Sequence, residues 1–509
     1  MVIHRPVGWV VLCVSAVSIL ASLGCGDATT WADPAVSIAP TQNPLVAQYN
    51  IVAPHNGSTA WVEFGEDTNY GRQTSATAAT TGLAQPLTLL VAGMKAKTTY
   101  HMRAHVAWPD GNGSWVGPDQ TFTTGAIPSN LQAPNFTVTR PSPNLSPQAG
   151  VELISGVPFN SNQIEALVVD LQGNIIWYFY GGAIPIKPMQ NGHFIINAGG
   201  DLQEIDLSGK AIREVTVPQV NESLQTNGYS FSITDFHHDQ LTLPNGHWIA
   251  LANTLKEFTN LPGYPGVLNV VGDALLDIDL TGNVVWAWSG FDHLDINRHP
   301  WGFLPALPPN NGAGDWTHGN ALDYTQDGNL LFSMRAQDWV IKIDYQNGTG
   351  SGDVLWHLGD GGDFTLAEGD PSLWFYGQHD SRVLSTDGSQ TKLTIWDNGN
   401  LRTNDPQCGT ITGCYSRATI FQLDEGTKVA NVFWQDAPGL FSSWGGSVGV
   451  LANGNVEFDA NAAFANSASQ VSEVTQTDSP QVVWQLEING AAYRAYRIPS
   501  LYPGVTWQK

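Results

Sequence analysis

WFYGQHDSRVLSTDGSQTKLTIWDNG, residues Trp374–Gly399, carries a histidine between two polar residues, Gln378-His379-Asp380. A β-like run follows, then a turn at Asp387-Gly388, a second run, and a polar stop at Asp397-Asn398-Gly399. Short runs of this kind bounded by Asp-Gly and Asn-Gly read as a hairpin. Two other stretches repeat its opening. His237-His238-Asp239-Gln240-Leu241 precedes Asn245-Gly246, and His318-Gly319-Asn320-Ala321-Leu322 precedes Asp327-Gly328. In each, a histidine stands four residues before an aliphatic one, so one register of a repeat carries three imidazoles.

Outward from this stretch, two signatures alternate between about residue 148 and the C-terminus. One is a turn followed by an apolar run, as in Gln190-Asn-Gly-His-Phe-Ile-Ile196, Pro244-Asn-Gly-His-Trp-Ile-Ala250 and Gln326-Asp-Gly-Asn-Leu-Leu-Phe332. Thr386-Asp-Gly388 and Ala452-Asn-Gly-Asn-Val456 continue it, and Pro147-Gln-Ala-Gly-Val-Glu-Leu153 is its weakest form. The other is an Asp-x-x-Gly-type hairpin leading to Trp. It occurs at Asp170…Trp177, Asp279…Trp286, Asp344…Trp356, Asp424…Trp434 and Asp478…Trp484, and at Asp206 without a Trp. Each unit supplies two hairpins, hence four strands. Six units predict an all-β, six-bladed β-propeller over 148–509. Ser289–Trp316 reads as an insertion loop within it. The 19 Trp are expected between blades, each burying about 150–250 Å².

Before the repeats, residues 35–125 read as a small fibronectin-III-like β-sandwich. Strand alternation in Thr59–Phe64 and Thr98–Val106 supports it, and Leu87–Arg103 resembles the E–F corner of such domains. A linker, 126–147, follows. Residues 1–24 read as a lipoprotein-type signal peptide ending at Gly24-Cys25, with Cys25 as the lipidated residue and 25–34 as a tether. Ser22 stands where such sites carry leucine three residues before the cysteine; plain secretion and a retained anchor are the alternatives. The expected location is the periplasm or cell envelope, with membrane contact only through the lipid. In that oxidising compartment Cys408 and Cys414 form a close pair, read as a disulfide. Closing so small a loop stabilises by only about 2 kcal/mol. A formal charge of −24 on 509 residues excludes nucleic acid as a partner, because phosphates need a basic face.

In a propeller the innermost strand of each blade begins at one mouth of the central channel. His237, His318 and His379 take that position in three units. Asn320, two residues after His318, is expected to point the same way on a strand, and Arg335 ends the next strand. Three imidazoles and a guanidinium make a cationic, hydrogen-bonding site suited to a tetrahedral oxyanion. A lone histidine beside a turn is usually a surface residue; three in register are not expected by chance. Zinc is the chemical rival, since three histidines are a common shell, and Arg335 argues against it. A propeller that binds a partner without catalysis is the other alternative. Register favours His237 for the site and the shared His-Asp favours His238; a one-residue step on a strand reverses the face, so one of the two is expected there.

The ordered set His237-His238-Asp239, Asp315-Trp-Thr-His-Gly-Asn320, Ser333-Met-Arg335, Trp356-His-Leu-Gly359, Gln378-His379, Asp397-Asn398-Gly399 and Tyr493-Arg-Ala-Tyr-Arg497 resembles the bacterial arylsulfate sulfotransferases over about 150–509. The resemblance implies an exported enzyme that moves a sulfuryl group from an aryl sulfate to a phenol, with no cofactor and no nucleotide sulfate donor. It implies ping-pong transfer through a sulfohistidine. His379 would be the nucleophile and His318 the acid and base at the phenolic oxygen. Arg335, Asn320 and one of His237 and His238 would hold the sulfuryl oxygens.

Overall fold

A computed structural model of the chain describes residues 32–52, 55–79, 86–111, 113–156, 162–182, 184–402, 414–463 and 468–508. The signal peptide, Cys25 and Cys408 of the expected disulfide lie outside them. The fold is all-β; the longest helix among the described residues, Val217–Thr226, has 10 residues. No helix among them is long and apolar enough to cross a membrane.

The N-terminal region forms two sheets. One orders Ala35–Pro40, Ala47–Val52 and Leu87–Val91; the other is built on Thr59–Gly65 and Thr99–Ala107. Alternation buries one face of each strand: Tyr100, Met102, Ala104 and Val106 are buried, and the residues between them are not. Lys95 N–H donates to Tyr100 Oη at 3.0 Å and pins the corner before that strand. Both faces share a core with Val151, Trp177 and Phe194 from the following region. The chain's end completes it. Tyr502 Oη accepts from Ala92 N and donates to Leu90 O, and Trp507 Nε1 donates to Gln73 O.

From residue 136 onward the described strands group into six sheets, antiparallel except for two short parallel pairings, Val270 with Gly314 and Thr365 with Val429. The first strands of neighbouring sheets touch in sequence: Ile233–Thr242 with Gly319–Tyr324, then His379–Asp387, Ser447–Val450 and Ala492–Ile498. One sheet mixes the two ends of the region. Val151–Gly156, Ala166–Val169 and Ile175–Phe179 take Ala492–Ile498 as their fourth, innermost strand. The weakest turn repeat, Pro147–Leu153, stands at this one sheet whose first strand comes from elsewhere in the chain. Within 126–147, Phe136–Thr139 pairs with Val482–Ile488 as an added strand.

The Asp-x-x-Gly hairpins build the seams between sheets. Asp170 Oδ1 accepts from Gln172 N and Asn174 N, so the carboxylate itself holds the turn. The Trp after each turn then donates to the same kind of turn in the next sheet. Trp177 Nε1 donates to Leu207 O, Trp286 to Gly350 O, Trp356 to Glu425 Oε2, Trp434 to Thr477 O and Trp484 to Leu171 O, at 2.7–3.3 Å. The hairpin at Asp206 has no Trp, and Arg213 takes its place. Its guanidinium lies 3.7 Å over the Trp248 ring and donates to Asp279 O. These six donors run in one direction and return to their start. The sheets therefore close on themselves, a fold of β-propeller type.

Candidate active site

The inner strands end at a cavity of about 1020 Å³ lined by His237, His238, His318, His379 and Arg335. Phe236, Trp444, Tyr493 and the insertion residues Leu307, Pro308 and Pro309 supply much of its apolar wall. Five of the six residues expected from sequence converge here. Asn320 does not line the cavity. It is fully buried, its Nδ2 donates to Gln378 O at 2.6 Å, and its Oδ1 has no hydrogen-bond partner.

The backbone explains both outcomes that alternation failed to predict. His238, His318 and Asp380 have positive φ of 51°, 49° and 52°. The ladder loses register beside each, between Phe236 and Gln240, Gly319 and Ala321, and His379 and Arg382. A bulge re-aims side chains at a rim, and each left-handed non-glycine residue costs about 1–3 kcal/mol. His237 and His238 consequently both reach the cavity, against the expectation that only one could. The bulge after His318 likewise turns Asn320 inward.

His379 is held in one tautomer. Its Nδ1 lies 2.7 Å from Asn398 Oδ1, and Asn398 Nδ2 donates to Ser442 O at 2.6 Å and Gly445 O at 3.0 Å. Those two carbonyls fix the amide's orientation, so Oδ1 accepts and His379 Nδ1 carries the proton. Nε2 keeps its lone pair, towards which Gly445 N–H points at 3.2 Å. Burial, and then the charges of Arg335, Arg494 and His318, hold the imidazole well below its ordinary range, while Asn398 opposes them. Asp397, next to Asn398, is itself clamped by Arg402 at 2.9 Å and Arg417 at 2.6 Å.

The other histidines are oriented by carboxylates. His318 Nδ1 lies 2.5 Å from Asp315 Oδ2, which leaves Nε2 for the cavity. His237 Nε2 lies 3.0 Å from Asp273 Oδ1, and the Nδ1 atoms of His237 and His238 are 2.8 Å apart. Burial opposes charge on both. Asp273, with Asp235 and Asp315 beyond it, nevertheless raises His237. His318, His237, His379 and Arg494 push His238 further down. His237 is therefore the more basic partner of the Nδ1–Nδ1 contact. No group of three or more His, Cys, Asp or Glu among the described residues is arranged to hold a metal ion.

Arg335 donates from Nη2 to Ser443 O at 3.1 Å and lies 4.7 Å from the centre of the Trp301 ring. Among the described residues no carboxylate is within ion-pair distance of it, and its Nε is buried without a partner. Its charge is thus left for an anion in the cavity.

Beneath the histidines, the aspartates that follow them join a buried ion cluster. Asp239 meets Lys187, Arg382 at 3.4 Å and Arg494 at 3.3 Å. Asp380 meets Arg382 at 2.9 Å and accepts from Tyr496 Oη at 2.7 Å. Tyr493, Arg494 and Tyr496 stand in a motif visible in the sequence, but only strand closure by Ala492–Ile498 brings them to the site. Trp444, expected in the core with the other Trp, lines the cavity instead.

The model of the arylsulfotransferase (ASST) family matches residues 143–497 of the chain. No curated protein matches it. Among solved structures, a protein of unknown function from Bacteroides caccae is similar at a TM-score of 0.40 and 11% identity, over 68% of this chain and 98% of that one. A catalytically inactive virginiamycin B lyase from Staphylococcus aureus with quinupristin is similar at 0.31 and 13%, over 70% and 99%.

Proposed function

The chain belongs to the arylsulfotransferase family, and from that premise we propose that it transfers a sulfuryl group from an aryl sulfate to a phenolic acceptor through a sulfohistidine at His379. The observation that carries this reading is the fixed tautomer of His379. An imidazole locked with its proton on Nδ1 and depressed in basicity is neutral, and its Nε2 lone pair, which accepts from Gly445 N–H at 3.2 Å in the resting chain, is the pair that attacks once that contact is exchanged for substrate.

In the first displacement, His379 Nε2 forms the S–N bond as the S–O(aryl) bond breaks. The bonding pair leaves on the phenolic oxygen, which takes a proton from His318. In the second, His318 accepts the proton of the incoming phenol, whose oxygen forms the new S–O bond as S–N breaks. One imidazole serves both steps, so donor and acceptor share one pocket. Arg335 and His238, with His237 behind it, hold the sulfuryl oxygens, and a fixed cation such as Arg335 lowers the barrier electrostatically. Asn320 serves from behind the wall by holding the Gln378 carbonyl, one residue before the nucleophile.

The same reading takes the six closed sheets as six propeller blades and the N-terminal pair of sheets as a fibronectin-III-like sandwich. It takes 1–24 as an export signal, Cys25 as a lipid-modified anchor, and Cys408 and Cys414 as a disulfide. A chromogenic aryl sulfate tests the chemistry. Phenol release beyond one equivalent per chain should require an acceptor, survive chelator and vanish in His379→Ala, and mass spectrometry after donor alone should find the sulfuryl group on His379. A different labelled residue overturns the assignment. Absence of turnover with any aryl sulfate supports a propeller that only binds, and chelator-sensitive hydrolysis supports a metal site.

A further inference from the structure

The insertion Ser289–Trp316 does more than bridge two sheets. Leu304–Pro305 pairs with Gly314–Asp315, which joins the long strand Tyr264–Ile278 alongside Val270 and Val271. Arg298 anchors it to the neighbouring sheet, donating to Gln337 O at 2.6 Å and Gln337 Oε1 at 2.9 Å. Its Leu307-Pro308-Pro309 stretch forms cavity wall. Its Trp301 does two things at once. The ring faces the Arg335 guanidinium at 4.7 Å, and Nε1 donates to Asp338 Oδ2 at 2.8 Å. Asp338 is fixed in turn, its Oδ1 accepting from Gly377 N at 2.7 Å, two residues before His379.

A buried arginine that must receive an oxyanion poses a conflict. A carboxylate placed directly on the guanidinium would steady it but would occupy the fork and cancel its charge. Here the two carboxyls whose charge reaches the guanidinium, Asp315 and then Asp338, both stand beyond ion-pair distance, and Asp338 is set behind an indole. The ring's negative face attracts the cation, and a carboxylate accepting from Nε1–H draws that proton away and enriches the face. We propose that Trp301 is a positioning residue for sulfuryl transfer: relayed to Asp338, it holds Arg335 aimed at the transferred group while, among the described residues, no carboxylate occupies its fork and its Nε keeps no protein partner. The insertion thereby links the wall against which the aryl group packs to the arginine that binds the sulfuryl group. This inference rests on the role given to Arg335 under the proposed function.

Burial pushes the Asp338 carboxyl up to about 7, against the pull of Gly377 N–H, Trp301 Nε1–H, Arg298 and Arg335. These are the groups that face it.

The test compares Trp301→Ala, Trp301→Phe and Asp338→Asn in the full-length chain. Two readouts apply: kcat/KM over aryl sulfates of differing leaving-group acidity, and binding of inorganic sulfate by calorimetry. Trp301→Ala should lower kcat/KM by about tenfold, equally for good and poor leaving groups, and weaken sulfate binding by a similar factor. Trp301→Phe, which keeps a ring face and the packing, should recover most of both. Asp338→Asn should fall between. Wild-type rates and sulfate binding in Trp301→Ala overturn the inference, as does a loss that grows with poorer leaving groups. If Trp301→Ala does not fold, Asp338→Asn decides: weaker sulfate binding supports the inference, and wild-type binding sinks it. A wild-type chain that turns over no aryl sulfate defeats the proposed function, while sulfate binding still reads the Trp301–Arg335 contact.

Discussion

At the residue scale, the site depends on where single protons sit. His379 is useful as a nucleophile because Asn398 can only accept from it and because nearby cations disfavour its charged form. Asn398→Asp should reverse the second effect. A carboxylate against Nδ1 stabilises imidazolium, so the neutral, active form is lost at higher pH than in the wild type. The acid limb of the kcat/KM profile should move up by about one pH unit or more. An unmoved limb would mean that His379 protonation does not limit the reaction. The sequence showed His379 and Asn398 as parts of one stretch. It did not show that they share a bond, because that contact depends on pairing His379 with Trp396 across the hairpin.

At the element scale, the repeated Asp-turn-Trp hairpin accounts for how the ring closes. Each indole reaches the next sheet's turn, and the one hairpin without Trp keeps the seam with Arg213. Arg213→Ala should lower stability by about 1–3 kcal/mol, from the lost cation–π contact and the lost charge-assisted hydrogen bond to the Asp279 carbonyl, which keeps only Gly282 N–H. Lysine there should recover part of it, since it keeps the charge but not the planar fork. Equilibrium denaturation measures both. Equal stability of Arg213→Ala and wild type would show that this seam is held by packing alone. The turn residues and Trp spacing made the seams legible in advance; the arginine substitute was not, because nothing in Ala-Ile-Arg-Glu-Val marks a cation destined to lie on an indole of the next sheet.

At the scale of the whole molecule, closure gathers buried charge around the strand that joins the two ends of the ring. Arg497 on the last strand meets Glu152 from the first sheet, Glu473 at 3.0 Å and Glu457 at 3.2 Å. One cation faces three carboxylates, with buried Asp459 nearby. Burial, and then Glu152, holds Glu457 well above its usual range despite Arg497; burial, Glu152 and Asp380 do the same to Asp459. Both carboxyls thus stay protonated in the folded chain at pH values where the unfolded chain has lost those protons. The stability linked to them is full below about pH 4 and is lost as pH rises through the folded values, by up to about 1.4 kcal/mol per pH unit for each group. Glu457→Gln should remove its share of that slope, so the variant's Tm relative to wild type should climb from pH 5 to pH 8. A constant difference would mean that Glu457 is ionised in the fold.

By itself the sequence determined the all-β class, the alternating hairpins, the family and five of the side chains that line the site, because turns and short-range alternation are local properties of a chain. Only the tertiary structure decided which of those side chains face the cavity. The ladder slips at His238, His318 and Asp380, and a slip of one residue reverses every face after it. That is why His237 and His238 both reach the site and Asn320 withdraws behind it. Closure likewise decided that Tyr493, Arg494 and Tyr496 belong with residues more than a hundred positions away, and that an insertion residue, Trp301, lies on the arginine.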